Sequence, residues 1–288
     1  QRNTIQFIPN DLYDILVQHR NKPIGEILKL YDIDDFATII EYFIFLIKNE
    51  HGFLCDEIEK NFFPEIELSF HCPSIISNAI IDVNKHSNHN FNSIITQLEN
   101  LGCRHFQLRS FDEKDLSFFE NILLGLEDKS ILSTEFLIKF THETDLVNLK
   151  KLFKKYPRLL NIIVHSALNN KIESIDHHNN SNVIFCKQQI LNESHCGFIS
   201  SLNFPSNLVT ISESQNHNTC LNKKVSIDVN GEIKNCPSML KSFGNLRETS
   251  IKNAIENANF KDFWFISKNQ IEVCKDCEFR HICTDCRA

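Results

Sequence analysis

Six of the eleven cysteines fall in the last 69 residues, as Cys220-x10-Gly231-x4-Cys236 followed by Cys274-x2-Cys277-x5-Cys283-x2-Cys286. Thiolates are soft ligands, and four converging on one centre define tetrahedral zinc or an iron-sulfur cluster; six or more at such spacing imply two centres. Disulfides are the competing use. The rest of the chain argues against them, because Cys55, Cys72, Cys103 and Cys186 occur singly, mostly inside apolar runs, as in a reducing compartment. No secretory signal or lipidation motif is visible, and the longest apolar run, Tyr42 to Ile47, is too short to span a bilayer. The expected location is the cytoplasm, with no membrane partner.

Other chemistry is excluded more directly. With 7 Gly there is no P-loop and no G-x-G-x-x-G, and neither G-x-S-x-G nor H-E-x-x-H occurs. ATP chemistry, where it is needed, belongs to a partner. Asp34-Asp35 and Asp56-Glu57 sit near helix or loop ends, where a dipole or solvation role outweighs acid-base work. His86 and His89 read as solvated loop histidines, and Cys103 as a small core residue. The net charge of -7 disfavours nucleic acid, and residues 1–65 hold 6 Lys and Arg against 12 Asp and Glu.

The elements that must position the cysteines divide the chain in three. Residues 1–65 open on an extended Thr4 to Ile8, followed by helices starting near Asn10 (a candidate N-cap) and Pro23. Asp35 to Lys48 forms a third helix, apolar nearly all round and so expected to be largely buried. A short strand after Gly52 completes a winged-helix-like domain with a small sheet. Residues 66–195 alternate strand and helix: strands at Ala79–Val83, Phe106–Leu108, Phe136–Phe140 and Leu160–Val164, helices at Phe91–Leu101, Lys114–Leu126 and Leu146–Phe153. That order demands a parallel sheet covered by helices, as a partial (βα) barrel or an open sheet of five or six units. Asn169 to Asn182 reads as a loop before a strand at Asn182–Gln188. In residues 196–288 the rhythm stops, and Val225 to Val229 leads into Asn230-Gly231, a type I′ hairpin signal that brings Cys220 and Cys236 to one end.

The cysteine spacing resembles the SPASM domain, the auxiliary-cluster module behind radical SAM peptide-modifying enzymes. Phe7-Ile-Pro-Asn-Asp-Leu-Tyr13, Ser226-Ile-Asp-Val-Asn-Gly-Glu-Ile-Lys-Asn-Cys-Pro-Ser238 and Cys283-Thr-Asp-Cys-Arg-Ala288 resemble the SPASM-domain peptide maturases of grasp-with-spasm systems. The resemblance implies an α/β protein with an N-terminal winged-helix-like peptide-recognition domain, a partial radical-SAM-like (βα) barrel and a C-terminal SPASM iron-sulfur module. It implies one or two 4Fe-4S clusters, with zinc as the alternative, and an ATP-grasp ligase and a precursor peptide as partners. Carried onto this sequence, Cys220, Cys236 and Cys286 would serve one cluster with Cys196 completing it, and Cys274, Cys277 and Cys283 a second whose fourth ligand lies beyond Ala288. The spacing departs from many SPASM domains, which have three residues rather than two before the last cysteine of the set.

Radical SAM chemistry needs three cysteines, usually C-x3-C-x2-C, after the first barrel strand. Here that loop reads Asn84-Lys-His-Ser-Asn-His-Asn90, and Arg109-Ser-Phe-Asp-Glu113 stands where the family pattern has Gly-Gly-Glu-Pro. No S-adenosylmethionine cofactor is expected. The expectation is a maturation protein for a ribosomally synthesised, post-translationally modified peptide, with an edge strand for the leader that includes Ile5, Phe7 and Ile8, or else the wing after Gly52. Two alternatives stand beside it: a redox enzyme that uses its auxiliary clusters on the peptide, and a structural zinc-binding adaptor. No catalytic residue is assigned.

Overall fold

The computed structural model of the chain describes residues 5–176, 181–195 and 204–285. Contacts divide the chain into two compact units, residues 1–67 and 68–288.

The first unit is helical among its described residues. It holds α1 (Asn10–Gln18), α2 (Ile24–Leu28) and α3 (Phe36–Lys48), with 3-10 turns at Ile33–Asp35 and Glu59–Phe62. Pro9, at φ -60 and ψ 151, takes the N-cap position of α1, so Asn10 is the first helical residue and not the cap. A proline suits that place because its fixed φ is compatible with extended backbone and its missing N–H is not needed. Ile15, Ile27 and Ile39 form the small core, with Tyr31, Tyr42 and Phe43 packed on it. The expected burial of α3 is not observed: Ile39 is its one buried residue, while Ile40, Ile44 and Ile47 are exposed. Two short helices cover only one face of a longer one.

The small sheet is also absent among these residues. Ile5 to Ile8 lies outside any strand, and Gly52-Phe53-Leu54 is irregular. A strand at Phe53 has too few residues to ladder. Two residues on, Asp56 Oδ1 accepts from Glu59 N–H at 2.8 Å and Glu59 Oε2 accepts from Asp56 N–H at 3.1 Å. This capping box turns the chain into a helical turn instead of extending it. The described residues therefore show a helical unit and no wing.

The second unit is built on one sheet of eight strands: β1 (Asn78–Val83), β2 (His105–Ser110), β3 (Ser133–Lys139), β4 (Leu159–His165), β5 (Lys171–Asp176), β6 (Ser181–Phe185), β7 (Lys224–Ile227) and β8 (Ile233–Lys234). Its order is β5-β6-β4-β3-β2-β1-β7-β8. The six strands from β6 to β7 are mutually parallel, and β5 and β8 add antiparallel edges. The expected parallel sheet is present. Three of its strands were not expected in it: β5, in the polar stretch read as a loop, and the hairpin strands β7, which pairs in parallel with β1, and β8.

Helices α4 (Phe91–Asn100), α5 (Leu116–Leu124) and α6 (Leu146–Lys155) link the first four strands. Asn90 and Asp145 cap α4 and α6 by accepting from Ser93 and Asn148 N–H groups. Gly102, at φ 76, ends α4 where a side chain would press on Ser74. Ile94, Ile95 and Leu98 of α4 join Ile81, Leu108, Phe136 and Ile162 of the strands in one core. Two further helices, α7 (Leu208–Asn216) and α8 (Ile251–Ile255), flank the β7-β8 hairpin in sequence.

Candidate functional site

Parallel strands with helical crossovers point their carboxyl ends to one side of the sheet, where ligands of such folds bind. Here that side carries charge. Asp82 of β1 and Arg109 of β2 are register partners, and the guanidinium grips the carboxylate through Nε at 2.6 Å and an Nη at 2.7 Å. Both are buried. Burial pushes the Asp82 carboxyl above its ordinary value, and Arg109 pulls it back only in part. His165, the last residue of β4, is fully buried; its Nε2 donates to the Ser110 carbonyl at 3.1 Å, and Nδ1 accepts from Ile190 N–H at 3.4 Å. Those roles fix one neutral tautomer, and burial lowers its pKa.

The loop after β1, where the cysteine triplet of a radical SAM enzyme would sit, is held by polar contacts. Asn84 Oδ1 accepts from the His86 and Ser87 N–H groups, and Ser87 Oγ donates to the Val229 carbonyl at 2.7 Å, tying this loop to the hairpin turn. His86 is exposed as expected. His89 is not: it is half-buried, donates from Nε2 to the Asp82 carbonyl at 3.0 Å, and has its pKa lowered by that burial. A backbone carbonyl at the strand end takes the place of solvent. Between this loop, the start of α4 and the hairpin turn lies a cavity of about 530 Å³ whose polar lining includes the amides of Asn88, Gln97, Asn230 and Asn245 together with Arg247 and the carboxylate of Glu232.

The hairpin carries the first two cysteines of the array. Its turn differs from the expected type I′, because Gly231 has a positive φ of 88 while Asn230 does not. Gly231 N–H closes the turn on the Asp228 carbonyl at 3.0 Å, so the glycine is the left-handed residue of a bulge after a tight turn. Asp228 organises it further: Oδ1 accepts from Asn230 and Glu232 N–H groups, and Oδ2 pairs with Lys234 at 2.8 Å. Cys220 stands just before β7 and Cys236 just after β8, the latter buried.

The tail cysteines ride on successive turns. Cys277 N–H bonds the Cys274 carbonyl at 2.9 Å, and Cys283 N–H the Phe279 carbonyl at 2.8 Å. Cys274 is buried, Cys283 half-buried and Cys277 exposed. One feature joins this tail to the hairpin. Lys268 Nζ donates to Thr219 Oγ1 at 3.2 Å and to the Cys283 carbonyl at 2.7 Å, bringing the neighbour of Cys220 against Cys283. The tail also meets α7, where Ser214 Oγ contacts His281 Nδ1 at 3.0 Å.

Cys196 and Cys286 lie outside the described residues. Among the described ones, no three His, Cys, Asp or Glu side chains stand close enough to hold an ion. Thiolates repel one another, and such ligand sets commonly close with the ion they bind. By donor chemistry the residues fit an iron-sulfur centre: the array is thiol-only, two of its members are buried, and Lys224 Nζ stands 3.4 Å from Cys220 Sγ, where an ammonium favours the thiolate. Cys103 is unlike them. It lies in the core as expected, donates to the His105 carbonyl, and burial pushes its thiol up to about 12.

Asp82, Arg109, His165 and Lys268 were not singled out by sequence. Asp82 left a signal, a carboxylate in the apolar run Ala79 to Val83. Of the expected leader-binding residues, Ile5 and Phe7 are exposed and Ile8 is half-buried.

The SPASM family profile, described as an iron-sulfur cluster-binding domain, matches residues 219–278. The match includes Cys220, Cys236, Cys274 and Cys277 and stops before Cys283. No curated protein and no solved structure matches the chain. No helix among the described residues is long and apolar enough to cross a membrane. Residues 219–278 are thus a SPASM iron-sulfur cluster-binding domain, laid onto the edge of a largely parallel sheet.

Proposed function

We propose that the chain is a maturation protein for a ribosomally made peptide, one that holds the precursor and works beside an ATP-grasp ligase without cleaving S-adenosylmethionine. The observation that carries this reading is a SPASM domain sharing its sheet with a strand-end loop, residues 84–90, that has no thiol. Modules of this kind accompany peptide-modifying enzymes. The buried Asp82–Arg109 pair fills the strand ends beside that loop with a satisfied ion pair.

This chain's residues then have binding roles. The amide-lined cavity offers donors and acceptors matching a peptide backbone, and Arg247 offers a charge for an acidic side chain. The segment Ile5 to Ile8, outside any helix or strand, would pair with a leader in extended form. Cys220, Cys236, Cys274, Cys277 and Cys283, with Cys196 and Cys286, are the residues that would hold one or two clusters. A bound cluster supplies a rigid crosslink between hairpin and tail, and an electron store.

The test is omission. Precursor and ligase are incubated with and without this protein, and the peptide is weighed by mass spectrometry; modification that is unchanged without it removes the reading. Arg247→Ala should weaken precursor binding about tenfold while leaving iron content intact. The redox reading is favoured by the Lys224 amine at the Cys220 sulfur, a contact of the kind that tunes cluster potential. It requires modification to follow the cluster's oxidation state. Two zinc ions and no iron in anaerobically purified protein would leave only a structural adaptor.

A further inference from the structure

Lys268 is 3% exposed. A lysine is almost never buried without a partner of opposite charge, because neutral acceptors do not offset the loss of hydration of an ammonium. The acceptors here are the Thr219 hydroxyl and the Cys283 carbonyl, which are also bonded to each other at 3.3 Å. Among the described residues no carboxylate pairs with Lys268. The two segments it joins flank two cysteines of the array, one before β7 and one in the tail.

A cluster ligated by thiolates carries net negative charge, and its potential depends on that charge, on hydrogen bonds to its sulfurs and on solvent access. A buried ammonium beside the ligands answers both needs at once. We infer that Lys268 is a positioning residue of the iron-sulfur domain, the buried counter-cation that clasps the Cys220 and Cys283 segments together for one shared cluster or two adjacent ones. The supporting turn is itself fixed: Ser267 N–H bonds Gln270 Oε1 at 2.9 Å, and Gln270 N–H returns to the Ser267 carbonyl at 3.0 Å. Lys268 therefore reaches inward from a rigid base. The inference rests on the iron-sulfur domain and is independent of the maturation reading.

The test uses the full chain, reconstituted anaerobically with iron and sulfide, as wild type, Lys268→Met, Lys268→Arg and Thr219→Val. Iron per chain and the reduction potential are measured, the latter by spectroscopic titration. Lys268→Met should load iron several-fold less, and the loaded fraction should show about a tenfold lower ratio of reduced to oxidised cluster at fixed potential, about 59 mV for one electron. Lys268→Arg should restore the potential, and Thr219→Val should slow loading while keeping the charge. Wild-type loading and potential in Lys268→Met would overturn the inference. So would a loss that Lys268→Arg does not repair at all, the mark of packing alone. Should Lys268→Met fail to fold, Thr219→Val decides: slower loading supports the clasp, and unaltered loading with unaltered potential overturns it.

Discussion

At the ends of two neighbouring parallel strands, Arg109 donates two hydrogen bonds to the Asp82 carboxylate away from water. Breaking such a pair leaves one charge buried alone, at a cost of about 3–5 kcal/mol, whereas replacing both partners by apolar residues is often near neutral. Asp82→Ala and Arg109→Met should each destabilise the protein by that amount, and Asp82→Leu with Arg109→Met by much less, as read by urea denaturation. His165 gives a second expectation. Burial lowers its pKa from 6.5, and His89 behaves alike. A lowered folded-state pKa means the unfolded chain binds more protons, so this contribution is full above 6.5 and is lost as pH falls through the folded-state value. The urea midpoint should drop between about pH 7.5 and about pH 5.5, and His165→Gln should flatten that slope. None of these roles was legible residue by residue. Asp82 was visible as a carboxylate in an apolar run, but its partner lies 27 residues away on another strand. Lys268 sits in Ser267-Lys268-Asn269, which reads as an ordinary polar turn.

Elements were legible where a local period marks them. Strands β1 to β4 and helices α4 to α6 announce themselves by apolar runs and 3.6-residue spacing, and the structure places them within a few residues of expectation. What failed depends on partners distant in sequence. Lys171-Ile-Glu-Ser-Ile-Asp176 forms an edge strand whose side chains are largely solvated, so its composition is that of a loop. The N-terminal wing was inferred from extended residues, yet no ladder partner exists for them among residues 5–67. In the candidate site, cysteine spacing marked the SPASM domain, since ligand spacing is written in the chain itself, whereas the lysine that bridges the two cysteine segments is a tertiary fact. The hairpin between β7 and β8 yields a test at this scale. A Cβ at Gly231 would force an L side chain into left-handed backbone and bring it to 3.4 Å from Asn245 Oδ1. Gly231→Ala should cost about 1–2 kcal/mol, seen as a lower denaturation midpoint, with slower iron uptake because Cys220 and Cys236 flank this turn.

Charge is divided unevenly over the whole molecule. Residues 1–67 hold 6 basic and 13 acidic side chains, a net of -7 that equals the net charge of the entire chain, so residues 68–288 balance at 24 of each sign. In the second unit the cysteine-bearing hairpin is part of the sheet, so stripping the metal should loosen more than the tail. Metal in hundredfold excess over its Kd stabilises a fold by about 2.7 kcal/mol, roughly 5–10 °C for a unit of this size. Calorimetry before and after chelation should show the transition of residues 68–288 fall by that amount, with that of residues 1–67 unmoved. The seam between β1 and β7 has one more effect, on synthesis. Ser77 bonds the Lys223 carbonyl across 146 residues of chain, so at translation speeds of about 5–20 residues per second the edge of β1 waits roughly seven to thirty seconds for its neighbour. In that interval the nascent sheet offers a bare, sticky border to chaperones or to other chains.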